Sequence, residues 1–546
     1  MKQERVIAAR VDADLHGEGP WDAVVIGTGM GGAAAGHRLT QAGLRVLFLE
    51  KGEAALAPLA PGLDAGMVDD PDLRRRAGHW PDRVRLELDG SGSDVLLPLG
   101  MGVGGSTTLY AAALERFERS DIEDAPELPH PTGGWPVPWI RWLRYYAEAE
   151  RYLRVRTDPD PSRAGDAVLL GLPPASEVDR EFADLLRGNG LHPYRLHVGI
   201  GYRPGCTECG GHRCLHRCKS DARTIFIEPA LASGRAELRA GCDVLRLDAD
   251  GERVRRVVYR RGDREETVSA RIIVLAAGAY GSPAILLRSA NDWWPTGLAN
   301  EADLVGRNLM FHANEWLAVW PTAKRSTAGP RKTIGLRDHY AKGGLRLGAV
   351  QSTGLSAGFG NICAFLKARL ELSRLRRVPG LEKLLKVGAL VAVRLFGNAS
   401  IFVMLVEDFG MPENRVSLDP YDPARITLHY TVPADLRRRA RLARSLLKRS
   451  FRGARALSLQ GEVQLNLGHA CGTCRFGSDP DTSVLDPDCR AHGVDNLYVV
   501  DASFMPSSGG ANPALTIAAN ALRVGDAIAA RLRVGAAIRR AEAVGA

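Results

Sequence analysis

No run of about 20 uninterrupted apolar residues occurs in the 546-residue chain, so the sequence offers no helix of bilayer-spanning length. Residues 1–20 lack both an apolar signal-peptide core and a twin-arginine pair, which sets the expectation of a cytoplasmic protein. Zinc-finger spacing, an RNA-binding sheet motif and a Lys/Arg tail are missing too, and with them the usual grounds for nucleic-acid binding. Charge of one sign is in short supply: 72 basic against 63 acidic residues leave +9, enough to steer anionic partners or simply to keep the chain in solution. Cysteine is scarce outside one place. Four of the nine fall between Cys206 and Cys218, and in a reducing compartment such clustering points to metal or redox chemistry before disulfides.

What is present is ordinary for a globular protein, 45% hydrophobic and 25% charged, and the length suits about three domains or two large interleaved ones. Residues 21–50 read as β-α-β. Ala23-Val24-Val25-Ile26 is an apolar strand, Gly27-Thr28-Gly29-Met30-Gly31-Gly32 fits G-x-G-x-x-G, an Ala-rich helix follows, and Val46-Leu47-Phe48-Leu49 ends at Glu50. The glycines allow a tight turn and a close backbone approach to a pyrophosphate on the helix N-terminus, and the acid can take ribose hydroxyls. This half-motif predicts dinucleotide binding without separating FAD from NAD.

Further segments carry chemistry. Residues 100–108 form a glycine-dense loop with hydroxyls, including Gly102, Gly104, Gly105 and Ser106. Residues 236–258 read as paired strands about a turn at 248–251. A buried strand at 272–275 runs into Ala277 and Gly278, and Ser282-Pro283 reads as a helix start. Cys206, Cys209, Cys214 and Cys218 lie within thirteen residues, short spacings that can close round one metal centre; an iron–sulfur cluster, structural zinc, and bare or paired thiols are all open readings. Residues 364–395 interleave Leu, Val and Ile with Lys367, Arg369, Arg374, Arg376, Arg377, Lys383 and Lys386. Such helices cover their own core, cap an apolar tunnel or lie on a membrane. Residues 437–452 are a second basic helical run, read as a solvated face. Near the C-terminus, Gly468-His469-Ala470-Cys471-Gly472-Thr473 is followed by the strand Leu497-Tyr498-Val499-Val500 with Asp501 and Ala502, then by Asn512-Pro513 opening an Ala-rich helix. A neutral imidazole can take and return a proton near working pH, and a helix N-terminus favours developing negative charge.

Read together, the segments 27–32, 100–108, 281–289 and 468–473 resemble the signatures of the glucose-methanol-choline (GMC) family of flavin oxidoreductases. The resemblance implies an α/β fold: a Rossmann-like FAD-binding domain with an inserted α+β substrate-binding domain. Residues 1–115, 205–312 and 465–546 would build the FAD domain, 116–204 a cap segment and 313–464 the substrate domain. It implies His469 as catalytic base, Asn512 as its partner on the substrate oxygen, and Gly27, Gly29, Met30, Gly31, Gly32, Glu50, Gly102, Gly104, Gly105, Ser106, Val244, Ala277, Gly278, Asp501, Ala502, Asn512 and Pro513 as the FAD cradle. Some members tether the flavin to a His after the second glycine loop; Leu109 matches that position, so the FAD is expected to be non-covalent. The last three cysteines resemble the run that holds a three-iron cluster in some members, although Lys219 follows the last one where those have proline. The implied reaction is oxidation of a small-molecule alcohol, by a dehydrogenase more than by an oxidase, with dioxygen or a redox carrier as acceptor. A hydroxynitrile-lyase-like flavoprotein and a membrane- or partner-binding module are the alternatives.

Overall fold

The computed structural model describes residues 21–545 except 58, 60–66, 159–168, 207, 323–325, 327, 356–357, 372–377 and 379. The segment 1–20 and Arg374, Arg376 and Arg377 therefore lie outside the described residues. Two layers meet along one seam. The first is a five-stranded parallel sheet built from β1 (Trp21–Ile26), β2 (Val46–Leu49), β3 (Ala236–Arg239), β4 (Ala270–Leu275) and β5 (Leu497–Val499), in the order β5-β4-β1-β2-β3. Its strands are near-continuous aliphatic runs because helices cover them: α1 (Met30–Gln41), α2 (Gly278–Arg288) and α3 (Ala514–Gly545). The helix Trp139–Tyr152 packs on α3 and buries Trp142 against Phe504 and Trp135, with Tyr146 beside Trp142. A three-stranded antiparallel ribbon, residues 242–268, follows β3.

The second layer is a seven-stranded sheet centred on the strand Met310–Trp320, which pairs with Ser400–Val406, Arg455–Ser458 and Gln464–Cys471. The helix Ala434–Ser450 covers it through Leu436, Ala440, Ala443 and Leu447. This basic run is more than a solvated face. Arg439 is buried and donates to the carbonyls of Arg346 and Glu407, and Arg444 pairs with the buried Glu315 at 2.7 Å. A four-stranded mixed sheet joins Arg83–Leu88 and Ser91–Leu96 to Arg415–Leu418 and Ile426–Tyr430. The described part of the segment 1–115 thus contributes strands both to the parallel sheet and to this four-stranded sheet. The described part of residues 364–395 includes two helices, Phe359–Glu371 and Leu381–Phe396, and no helix among the described residues is long and apolar enough to cross a membrane.

Candidate active site

The first glycine turn is shaped by close approaches. A Cβ on Gly27, which has φ +95°, would stand 2.3 Å from the carbonyl oxygen of Ala276, and one on Gly31 would stand 2.2 Å from that of Val500. Gly32 meets the Gly27 carbonyl just as closely, and Met30 is buried beside it. These contacts lock β1, β4, β5 and α1 together. Gly29 differs, since nothing lies within 4 Å of where its Cβ would be. It is the N-cap of α1, whose first turn has no acidic residue and no side-chain cap. Free amides facing open space fit the pyrophosphate of FAD.

The second glycine loop closes over the first. Gly105 reaches to within 2.9 Å of Gly29 Cα, measured from an ideal Cβ, and Gly104 N donates to Thr28 Oγ1 at 3.2 Å. Glu50 ties the two together: Oε1 accepts from Gly52 N (2.9 Å) and Gly102 N (3.2 Å), and Oε2 accepts from Thr28 N (3.1 Å) and its hydroxyl. Four protein donors thus hold the expected ribose ligand. Ser106 accepts from Gly100 N, and Val244 is buried on the strand that begins beside Glu50. Asp501 is the counterpart at the far strand ends. It accepts from Gly278 N (2.9 Å) and the Ser282 hydroxyl through one oxygen, and from Ser503 through the other. Burial raises its pKa against these bonds. Ala277 caps α2, Ala502 is buried after Asp501, and the space beside Gly278, at φ +81°, is open like that at Gly29.

Helix α2 begins at Gly278, earlier than the Ser282-Pro283 start expected from sequence, and it carries Pro283 inside. A proline there leaves the Ala279 carbonyl without its helical donor. The hydroxyl of Thr473 supplies one at 2.7 Å. The glycine-threonine pair after His469 is thereby fastened to the dinucleotide layer, and residues 472, 474 and 476 donate to the carbonyls of 502, 503 and 504.

His469 sits at the end of the strand Gln464–Cys471, on the seam. Its Nδ1 lies 3.1 Å from Nδ1 of His312, a fully buried residue on the neighbouring strand, and His312 Nε2 lies 2.9 Å from the carbonyl oxygen of Gly509. The roles follow from the end of the chain. A carbonyl only accepts, so His312 carries its proton on Nε2 and accepts at Nδ1; His469 then donates from Nδ1, leaving Nε2 as a bare lone pair. Burial pushes His312 down to about 4 and His469 well below the usual range, where the neighbouring His312 and then Lys332 push the same way. Both rings are neutral near pH 7.

Asn512 stands three residues after Gly509, and its Oδ1 is buried without a hydrogen-bond partner. Pro513 follows, and its carbonyl accepts from Ile517 N as α3 begins. The intervening loop is clamped: Gly510 N donates to Tyr340 Oη (3.1 Å), which is bound to the buried Asp121, and Ser508 exchanges hydrogen bonds with the backbone of Asp408. Sequence reasoning missed His312 and Lys332. Lys332 is buried and shifted down to about 8 by that burial, and its charge reaches His469.

The cysteine run yields a correction. Cys206, Cys209, Cys214 and Cys218 are half-buried and unbridged. The Cys209 thiol and the Cys218 amide, at 3.3 Å, both bond Cys214 and hold it down to about 4. No group of three or more His, Cys, Asp or Glu side chains among the described residues could hold a metal ion, so the expected cluster finds no support in the geometry. Lys219, where proline was the comparison, instead donates to the carbonyls of Tyr110, Cys209 and His212, filling the loop.

Two sequence profiles described as GMC oxidoreductase match residues 194–314 and 412–521. The chain is 33% identical to the 6'''-hydroxyparomomycin C oxidase of Streptomyces lividus and to the paromamine 6'-oxidase of Streptomyces fradiae, in each case over 94% of this chain and 92% of the relative. It is 28% identical to the 2-methyl-1,2-propanediol dehydrogenase of Mycolicibacterium austroafricanum, over 93% of this chain and 95% of that one. Among solved structures, the pyridoxine 4-oxidase from Mesorbium loti superposes with a TM-score of 0.63 at 22% identity, covering 93% of this chain and 98% of that one.

Proposed function

The chain belongs to the GMC oxidoreductase family, and on that premise we propose that it oxidises the CH–OH group of a small-molecule alcohol to the aldehyde or ketone. One observation carries the reading above the others. The His312–Gly509 chain fixes the tautomer of His469 so that its only free ring nitrogen, Nε2, is an acceptor. Nε2 takes the hydroxyl proton, the side-chain NH2 of Asn512, whose Oδ1 is buried without a partner, donates to the substrate oxygen, and the buried Lys332 favours the negative charge that gathers there. The two glycine loops and Asp501 would hold FAD non-covalently, and FAD would supply the acceptor for the carbon-bound hydride. The FAD domain is read as residues 1–115, 205–312 and 465–546 and the substrate domain as residues 313–464, although the strand Arg83–Leu88 of the first segment pairs with Ile426–Tyr430 of the second domain.

A second reading concerns the electron acceptor. Two relatives at 33% identity are named oxidases, while an iron–sulfur cluster, the feature that would favour a dehydrogenase, finds no support in the geometry of the described residues. Dioxygen is on those grounds the acceptor proposed for this chain. The test is an anaerobic screen of paromamine-like amino sugars, short diols and hydroxymethyl aromatics for bleaching of the flavin, followed by mixing the reduced enzyme with dioxygen. Bleaching by one class and rapid re-oxidation with peroxide formation is the expected result. Product formed while the flavin stays oxidised would point to a lyase, and reoxidation only by artificial acceptors would return the chain to the dehydrogenases.

A further inference from the structure

The helix Leu381–Phe396 turns large aliphatic side chains outward as well as inward. Leu384, Val387, Val391 and Leu395 follow helical spacing along one face, with Leu390 beside them, and each is between 56% and 62% exposed. Ala389 faces the protein and is buried. A loosely attached helix could roll this stripe inward, but this one is fastened. Trp320 Nε1 donates to the carbonyl of Leu395 at 3.2 Å, its ring packs on Phe396, and the Arg455 guanidinium lies 4.4 Å above that ring. The companion helix Phe359–Glu371 is held by Arg83–Glu371 at 3.0 Å and by Arg369 on the carbonyl of Leu459 at 2.8 Å. The stripe is therefore presented to the outside, and something apolar is its natural complement.

Charge selects among the candidates. Lys386 and Arg394 are exposed beside the stripe, the helix sequence holds three bases to one acid (Glu382), and Arg374, Arg376 and Arg377 precede it in sequence. A second copy meeting this face about a two-fold axis would set Lys386 and Arg394 against the same cations. An anionic bilayer satisfies both requirements at once: acyl chains for the aliphatic stripe and headgroup phosphates for its basic flank. The helix is not long and apolar enough to cross, so it would lie in the interface plane. We infer that Leu381–Phe396 docks this protein on anionic phospholipid surfaces.

The test is flotation of the FAD-loaded protein with vesicles of phosphatidylcholine alone or mixed with phosphatidylglycerol, at low and high salt. Binding to the mixed vesicles, weakened by salt, is expected. The triple variant Leu384→Ser, Val391→Ser, Leu395→Ser, all at exposed positions, should keep its flavin spectrum and its reduction by a water-soluble alcohol, yet bind on the order of a hundredfold more weakly. Lys386→Glu with Arg394→Glu should abolish the preference for phosphatidylglycerol. Absence of vesicle binding, or triple-variant binding equal to the parent, overturns the proposal. So does a parent dimer that the triple variant dissolves while neither form floats, which would give the face to a second copy.

Discussion

At the scale of single residues the proposed chemistry turns on which nitrogen of His469 is bare, and the hydrogen-bond chain sets that two contacts away, at the Gly509 carbonyl. Replacing His469 by Ala should leave FAD bound and slow flavin reduction by a factor on the order of a hundred or more, the usual scale for losing a general base. Stopped-flow reduction reads this directly, and a near-normal rate would remove His469 from the role. The pH profile is a second check. Both histidines are held below 6.5 in the folded protein, so the neutral base persists as pH falls and is lost only on approaching the folded value, about 4 for His312. The reduction rate should stay level from pH 8 down to well below 6.5; an acid limb centred near 6.5 would contradict the burial argument. Substituting His312 by Phe, which removes the acceptor for His469 Nδ1, should move that limb while leaving FAD affinity unchanged. His469 and Asn512 were legible in the sequence because their residue types stand in tight motifs. His312 was not, since it sits in an unremarkable apolar strand and meets His469 only through a pairing that skips from Met310 to His312. Lys332 was hidden because it lies in the coil before the strand Ile334–Leu336, in no motif that marks a buried charge.

At the scale of elements, the parallel sheet and its helices were readable because buried strands are continuous aliphatic runs and the glycines punctuate them. The start of α2 was misplaced by four residues, since Ser-Pro looks like a helix opening until tertiary structure supplies another donor for the Ala279 carbonyl. That donor makes a double-mutant test possible. Thr473→Val should cost about 1–3 kcal/mol by stranding a buried carbonyl. In a Pro283→Ala background, where residue 283 can donate from its own amide, the same change should cost clearly less. Equal costs by chemical denaturation would show that the two sites are independent. The cysteine loop is the opposite lesson: the spacing was legible, but ligand geometry depends on where four thiols point, which spacing does not specify. Non-covalent FAD is tested as simply, since acid precipitation should leave all the flavin in the supernatant, with Leu109 offering no nucleophile.

At the scale of the whole molecule, the two layers are joined under the active site by buried acids. Burial raises Asp121 to about 7, Glu407 to about 8 and Asp408 to about 6. Raised above the unfolded values, these groups contribute stability that is complete below about pH 4 and is lost as pH climbs through 6 to 8. The buried histidines act in the opposite sense and withdraw their contribution as pH falls towards 4. Between about pH 6 and pH 7, where these losses outweigh the opposite effect of the Cys214 thiol held down to about 4, the denaturation midpoint should therefore decline, and Glu407→Gln, which imitates the protonated acid, should lessen that decline; a midpoint rising over this interval would refute it. The seam has one more consequence. Under the proposed chemistry the imidazole of His469 gains a proton at Nε2, while its other nitrogen leads through His312 to the Gly509 carbonyl, an oxygen that cannot relay hydrogen ions onward. The rear of the site is a cul-de-sac, so the hydrogen ion must leave by the door through which the alcohol came in. It is consequently still on hand when the electrons depart, and a solvent deuterium effect belongs in the second half of the catalytic cycle.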